Sequence, residues 1–148
     1  MSVLSINCKK LDERAMLPTK GSEWAAGNDL YALLPDGDAI ILPGETVKIS
    51  TGIAIELPAF TFGGIFARSG LATKRGLRPS NCVGVVDPDF RGEVIVALHN
   101  DSDAIQTVTN GERIAQLVII PYVDYTTMQV AELSETKRGE GGFGSTGD

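Results

Sequence analysis

The sequence predicts an all-β protein: a jelly-roll-like sandwich or barrel with one short helix and a flexible, glycine-rich C-terminal tail. Three observations carry this. Apolar and β-branched runs are short and are cut by Gly, Pro, Asn and Asp at intervals of about 8 to 12 residues. Helical patterning is confined to Ser69–Gly76. Residues 137–148 hold five glycines and one large apolar side chain, too little to order themselves by burial.

Taken in order, Ser2–Asn7 alternates through Val3, Leu4 and Ile6, and Asp29–Leu34 ends at the turn Pro35-Asp36-Gly37. Ala39–Leu42 closes at Pro43-Gly44. Thr46–Ser50 and Ile53–Leu57 alternate at period two about Gly52, and Phe62–Phe66 follows. In Ser69–Gly76, Ser69 reads as the N-cap and Gly76 as the terminator. Asn81–Gly92 reads as the heart of a β-hairpin: Val83, Val85 and Val86 favour strand, and Gly84 marks a close approach of backbone or ligand. Asp87-Pro88-Asp89 makes the turn, and Glu93–Leu98 is the second arm. Thr109-Asn110-Gly111 turns the chain into Arg113–Tyr122, the most apolar strand, and Met128–Leu133 is expected to be the last.

The 148 residues form one domain by length, divided into a β body over 1–136 and a tail over 137–148. A net charge of −6 excludes a general affinity for duplex nucleic acid, which needs a basic face. No uncharged apolar run approaches the ~20 residues of a membrane span, so no membrane partner is expected. Cys8 and Cys82 lack metal-ligand or C-x-x-C spacing and read as reduced thiols. With no signal-like N-terminus, the chain is expected to be cytoplasmic.

Several stretches combine chemistry with turn residues, and each alone has a plain structural reading. Asp87 is either a turn residue capping a surface hairpin or a carboxylate presented for use, with the Phe90 ring just beyond. Arg68, Ser69 and Gly70, at a helix start, make an anion site or simply a cap beside a surface arginine. Arg113 and Gln116 sit among apolar residues, where structural partners are the commoner outcome. In the tail, Arg138 can clamp phosphate, the glycines free consecutive N–H groups, Ser145 and Thr146 add hydroxyls, and Phe143 offers a stacking face. A disordered terminus explains the same composition. His99, the only histidine, lacks a Cys or second His partner and reads as a plain strand residue, and no Walker loop, zinc site or Ser-His-Asp set is present.

Together the stretches resemble the deoxyuridine triphosphatase (dUTPase) family. A-G-N-D-L-Y-A, R-S-G-L-A, N-C-V-G-V-V-D-P-D-F-R-G-E-V, G-E-R-I-A-Q-L and R-G-E-G-G-F-G-S-T-G match its motifs in order, over residues 25–147. The resemblance implies a jelly-roll homotrimer whose shared sites convert dUTP to dUMP and pyrophosphate with Mg²⁺. It implies Asp87 as the catalytic carboxylate and Asp29 as a support for the metal's water shell. Asn81, Gly84 and Val85 would recognise uracil through backbone, and Phe90, where relatives commonly have Tyr, would pack on the deoxyribose. Ser69, Gly70 and Gln116 would meet phosphates, and Arg68 would bind substrate while also, with Arg113, serving in part to hold subunits or loops. Arg138, Ser145 and Thr146 would close on the γ-phosphate from another chain's tail, Gly144 beside them would also bind substrate, and Phe143 would cover the base. Two alternatives share the fold: a dCTP deaminase and a regulatory protein-binding module. The deaminase needs a glutamate where this chain has Val96-Ala97-Leu98. A pure binder would be free to lose Asp87 or the tail, and both are retained.

Overall fold

A computed structural model describes residues 4–143. Among the described residues there are twelve strands and one helix: β1 Asn7–Lys10, β2 Thr19–Lys20, β3 Asn28–Tyr31, β4 Ala39–Ile41, β5 Thr46–Ser50, β6 Ile53–Glu56, β7 Thr61–Phe66, α1 Ser69–Arg75, β8 Leu77–Pro79, β9 Val83–Val86, β10 Ile95–Asn100, β11 Gln106–Val108 and β12 Arg113–Pro121. A five-stranded sheet runs β2-β3-β12-β7-β9, a three-stranded one β5-β10-β8, and β1-β6 and β11-β4 form ladders of two. Every pairing is antiparallel. The all-β class with one short helix is therefore observed. No helix among the described residues is long and apolar enough to cross a membrane.

Period-two patterning explains the core. On β5 and β10, Ile49 faces Val96 across the ladder, and both are buried while their chain neighbours are more exposed. β12 is central to the large sheet and sends Ala115 and Leu117 inward, against Leu30 of β3 and Ile65 of β7. Fully burying one such Leu or Ile is worth about 1.5–3 kcal/mol. Asn100 is also fully buried, with its amide donating to the Ile41 and Ala104 carbonyls and its oxygen accepting from Ser102.

Four expectations are corrected. The arms of the expected hairpin, β9 and β10, lie in different sheets: β9 pairs with β7, and β10 is held between β5 and β8. The Asp87–Val94 connection is too long for a tight turn, and each arm finds a longer-range ladder. No strand forms over Met128–Leu133, where Met128, Val130 and Leu133 are 78%, 55% and 87% exposed; no strand among the described residues pairs with that segment. The first described strand begins at Asn7, where the Ser2–Asn7 reading ends, and part of that reading lies outside the described residues. Arg68, extended at φ −82°, ψ 130°, is the N-cap of α1, so Ser69 is already helical. Gly76 terminates α1 as expected, in the left-handed conformation. The short strands β2, β8 and β11 were not anticipated; two or three residues carry too little periodicity to reveal them.

Candidate active site

Register lays out one side of the site. Asp29 on β3 stands opposite Gln116 on β12, Gln116 opposite Phe66 on β7, and Phe66 opposite Val83 at the start of β9. Residues directly opposite share a face, so this row crosses the outer surface of the sheet. Three strand spacings separate Asp29 from Val83, roughly 14 Å.

At the Asp29 end lies a cleft of about 390 Å³ lined by Gly21, Ala25, Gly27, Asp29, Arg68, Ser69, Gly70, Arg113 and Gln116. Asp29 is its electrostatic centre. Its Oδ1 accepts from Arg68 Nε at 2.8 Å and its Oδ2 from Arg113 Nη1 at 3.2 Å. The carboxylate is buried, so unpaired it would be costly; the two guanidinium groups satisfy it and are themselves oriented by it. Arg68 also reaches the Arg113 carbonyl at 3.4 Å, and Gln116 Nε2 donates to the Ala67 carbonyl at 2.9 Å. Ser69 and Gly70 are exposed at the first turn of α1, with no neighbour in contact above Gly70. The arrangement is a cationic, donor-rich cleft suited to an anion.

A second cleft of about 370 Å³ opens between β9 and β10. Asn81, Gly84, Val85, Asp87 and Phe90 line it, together with Lys48, Glu93, Val96 and Ala97. Asp87 is exposed at its edge, in a turn closed by the Phe90 N–H donating to the Asp87 carbonyl at 3.2 Å. The Asn81 amide lies over Gly84, and Val83 N–H folds back to the Asn81 carbonyl at 2.7 Å. The separation of β9 from β10 opens this space: a closed hairpin would have filled it with its own ladder. The structure thus gathers Asn81, Gly84, Val85, Asp87 and Phe90 in one place and Asp29, Arg68, Ser69, Gly70 and Gln116 in another. Among the described residues, none lines both clefts.

In the tail, Arg138 Nε donates to the Gly141 carbonyl at 2.8 Å within its own exposed turn, and Phe143 is fully exposed. Gly144, Ser145 and Thr146 lie outside the described residues. Lys48 and Glu93 were missed by sequence reasoning. Lys48 reaches the cleft only through the β5–β10 ladder, a long-range pairing that local pattern does not reveal. Glu93 sits beside the singled-out turn, but as an ordinary strand-entry residue.

A dUTPase family model matches residues 13–147. A deoxyuridine 5'-triphosphate nucleotidohydrolase of Syntrophotalea carbinolica is 44% identical over 147 residues, covering 99% of this chain and 99% of that protein. One from Hydrogenobaculum sp. is 48% identical over 139 residues, covering 94% and 95%. Among solved structures, the Staphylococcus bacteriophage 80alpha dUTPase with dUpNHpp superposes with a TM-score of 0.84 at 26% identity, covering 99% of this chain and all of that one.

Proposed function

The chain belongs to the dUTPase family, and from that premise we propose that it hydrolyses dUTP to dUMP and pyrophosphate by water attack at the α-phosphorus. The observation that carries the reading is the β9–β10 cleft, where the exposed carboxylate of Asp87 and the ring of Phe90 line one opening with Asn81, Gly84 and Val85. Asp87 accepts the proton of the attacking water, help worth roughly 10²–10⁴ in rate. Uracil is read by peptide groups of Asn81, Gly84 and Val85, and Phe90 lies against the deoxyribose and turns away a 2′-hydroxyl. Ala97 supports this over deamination: at the position where a deaminase needs its glutamate, the cleft is lined by a methyl group.

Arg68, Ser69, Gly70 and Gln116 neutralise and orient the phosphates. Breaking a phosphoanhydride depends mostly on such positioning and charge stabilisation. Arg138, Gly144, Ser145 and Thr146 close over the γ-phosphate, and Phe143 covers the base. Mg²⁺ supplies further charge neutralisation when bound with the triphosphate. The donor set fits a cation carried by phosphate oxygens and water: among the described residues no group of three His, Cys, Asp or Glu could cage one. Each Asp29 oxygen keeps acceptor capacity beyond its arginine, enough to hold a metal-bound water.

The separation of the two clefts supports a homotrimer in which the phosphate side of one subunit meets the base side of another and a third tail closes over both. Pyrophosphate release from dUTP, compared with dTTP, dCTP and UTP with and without Mg²⁺, tests the reading. Turnover restricted to dUTP is the expected result; turnover of a cytosine nucleotide alone would overturn it.

A further inference from the structure

Asp87 follows Val86, the β9 residue laddered to Gly63 of β7, but from there the connection leaves that sheet for another, and the stretch that carries Phe90 lies beyond either flanking ladder. Within the turn itself, the backbone bond from Phe90 to Asp87 is 3.2 Å. Beyond Val86, the course of the turn depends on what grips the rest of the segment, and two side chains do so. Glu93 Oε1 accepts from the Ser50 hydroxyl and, at 2.8 Å, from the Gly52 N–H. The next residue continues the attachment: Val94 N–H donates to the Ile53 carbonyl at 2.8 Å, and Thr51 Oγ1 donates to the Val94 carbonyl. On the other side, Arg91 Nη1 donates to the Pro88 carbonyl at 2.7 Å and the Phe90 carbonyl at 3.1 Å, while Nη2 pairs with Glu56 at 3.2 Å.

The two grips are unequal. Arg91 and Glu56 are each about half exposed, at 54% and 51%, and such surface pairs hold weakly. The Glu93 bonds are partly buried and charge-assisted, roughly twice as strong as neutral ones. Glu93 also lines the same cleft as Asp87 and Phe90.

We propose that Glu93 is a positioning residue: its grip on Ser50 and Gly52 sets where the Asp87 carboxylate and the Phe90 ring stand. The inference rests on the functional reading above and adds a specificity role to a residue outside the reacting set. Because one anchor serves both side chains, loosening it changes turnover and sugar selection together. A residue needed only for folding would lower the melting temperature without moving selectivity.

The test uses the full chain with Glu93→Ala, Glu93→Gln and Ser50→Ala. Misplacement on the order of 1 Å costs up to 10²-fold in rate, so Glu93→Ala is expected to lower kcat on dUTP roughly ten- to a hundred-fold. The preference for dUTP over UTP should narrow several-fold in the same variant. Glu93→Gln restores most of both, because an amide oxygen still accepts the two bonds. Hydrogen exchange of the Phe90 amide, whose N–H is bonded within the turn and whose readout needs no substrate, should accelerate in Glu93→Ala and stay near wild type in Glu93→Gln. Unchanged exchange in Glu93→Ala overturns the inference, as does a loss of kcat with sugar selectivity intact. Should Glu93→Ala fail to fold, Ser50→Ala removes one donor and is expected to move the same quantities by less; no movement overturns the inference. A wild-type chain that leaves dUTP intact would instead defeat the functional reading, with the exchange measurement still judging the anchor.

Discussion

Asp87 and Phe90 stand three residues apart on one turn, and their proposed tasks separate cleanly by substitution. Asp87→Asn keeps the shape of the side chain and removes its ability to take a proton. It should lower kcat by roughly 10²–10⁴ while a non-hydrolysable dUTP analogue binds nearly as before. Near-normal pyrophosphate release from this variant would take Asp87 out of the chemistry. Phe90 depends on its neighbour for room: a Cβ added to Gly92 would stand 2.6 Å from the ring's Cζ. Phe90→Ala should therefore relax the preference for dUTP over UTP by roughly ten-fold or more, and Gly92→Ala by less, since the ring is displaced rather than lost. Equal dUTP-to-UTP ratios of kcat/KM in wild type and Phe90→Ala would remove the steric gate.

Elements defined by local chemistry were legible in the sequence, and those defined by distant pairing were not. Thr46–Ser50 and the Gly76 terminator emerge as read, because alternation and a left-handed glycine are local signals. The fate of the Asn81–Gly92 stretch was not local: its valines are strand residues, but β7 claims one arm and β5 with β8 the other. Likewise Asp29 could be singled out by motif, whereas its grip by Arg68 and Arg113 depends on the β3–β12 register and the irregularity between Arg113 and Ala115. Local chemistry also fixes the link from β1 to β2. Arg14, through its side chain and backbone N–H, holds the Asp12 carboxyl down at about 2 from an ordinary 3.8. A depressed carboxyl stabilises the fold above its unfolded value and loses that contribution as pH falls through the folded one. The difference in melting temperature between wild type and Asp12→Ala should therefore be present above pH 3.8 and close toward pH 2. The pair is exposed and the difference small, so a gap that persists undiminished at pH 2 would show that the carboxylate is not its source.

At the scale of the whole molecule, an acidic protein of net charge −6 must take up a highly anionic substrate, which makes the placement of its few converging cations decisive. The phosphate cleft supplies Arg68 and Arg113 and the base cleft Lys48, yet among the described residues the two openings share none. A trimer resolves this if each site takes its phosphate half from one subunit and its base half from the next. Subunit mixing tests that arrangement with two chains that are each inactive alone. Asp87→Asn disables the base half, and Ser69→Glu sets a carboxylate in the phosphate half at an exposed first-turn position where acidic residues suit a helix. When the two are unfolded together in equal amounts and refolded, each site draws its halves from different subunits. About one site in four then receives both intact halves, by random assortment around a closed ring. Recovery of about a quarter of wild-type pyrophosphate release is the expected outcome. If each site were built within one chain, the mixture would stay as inactive as its parents.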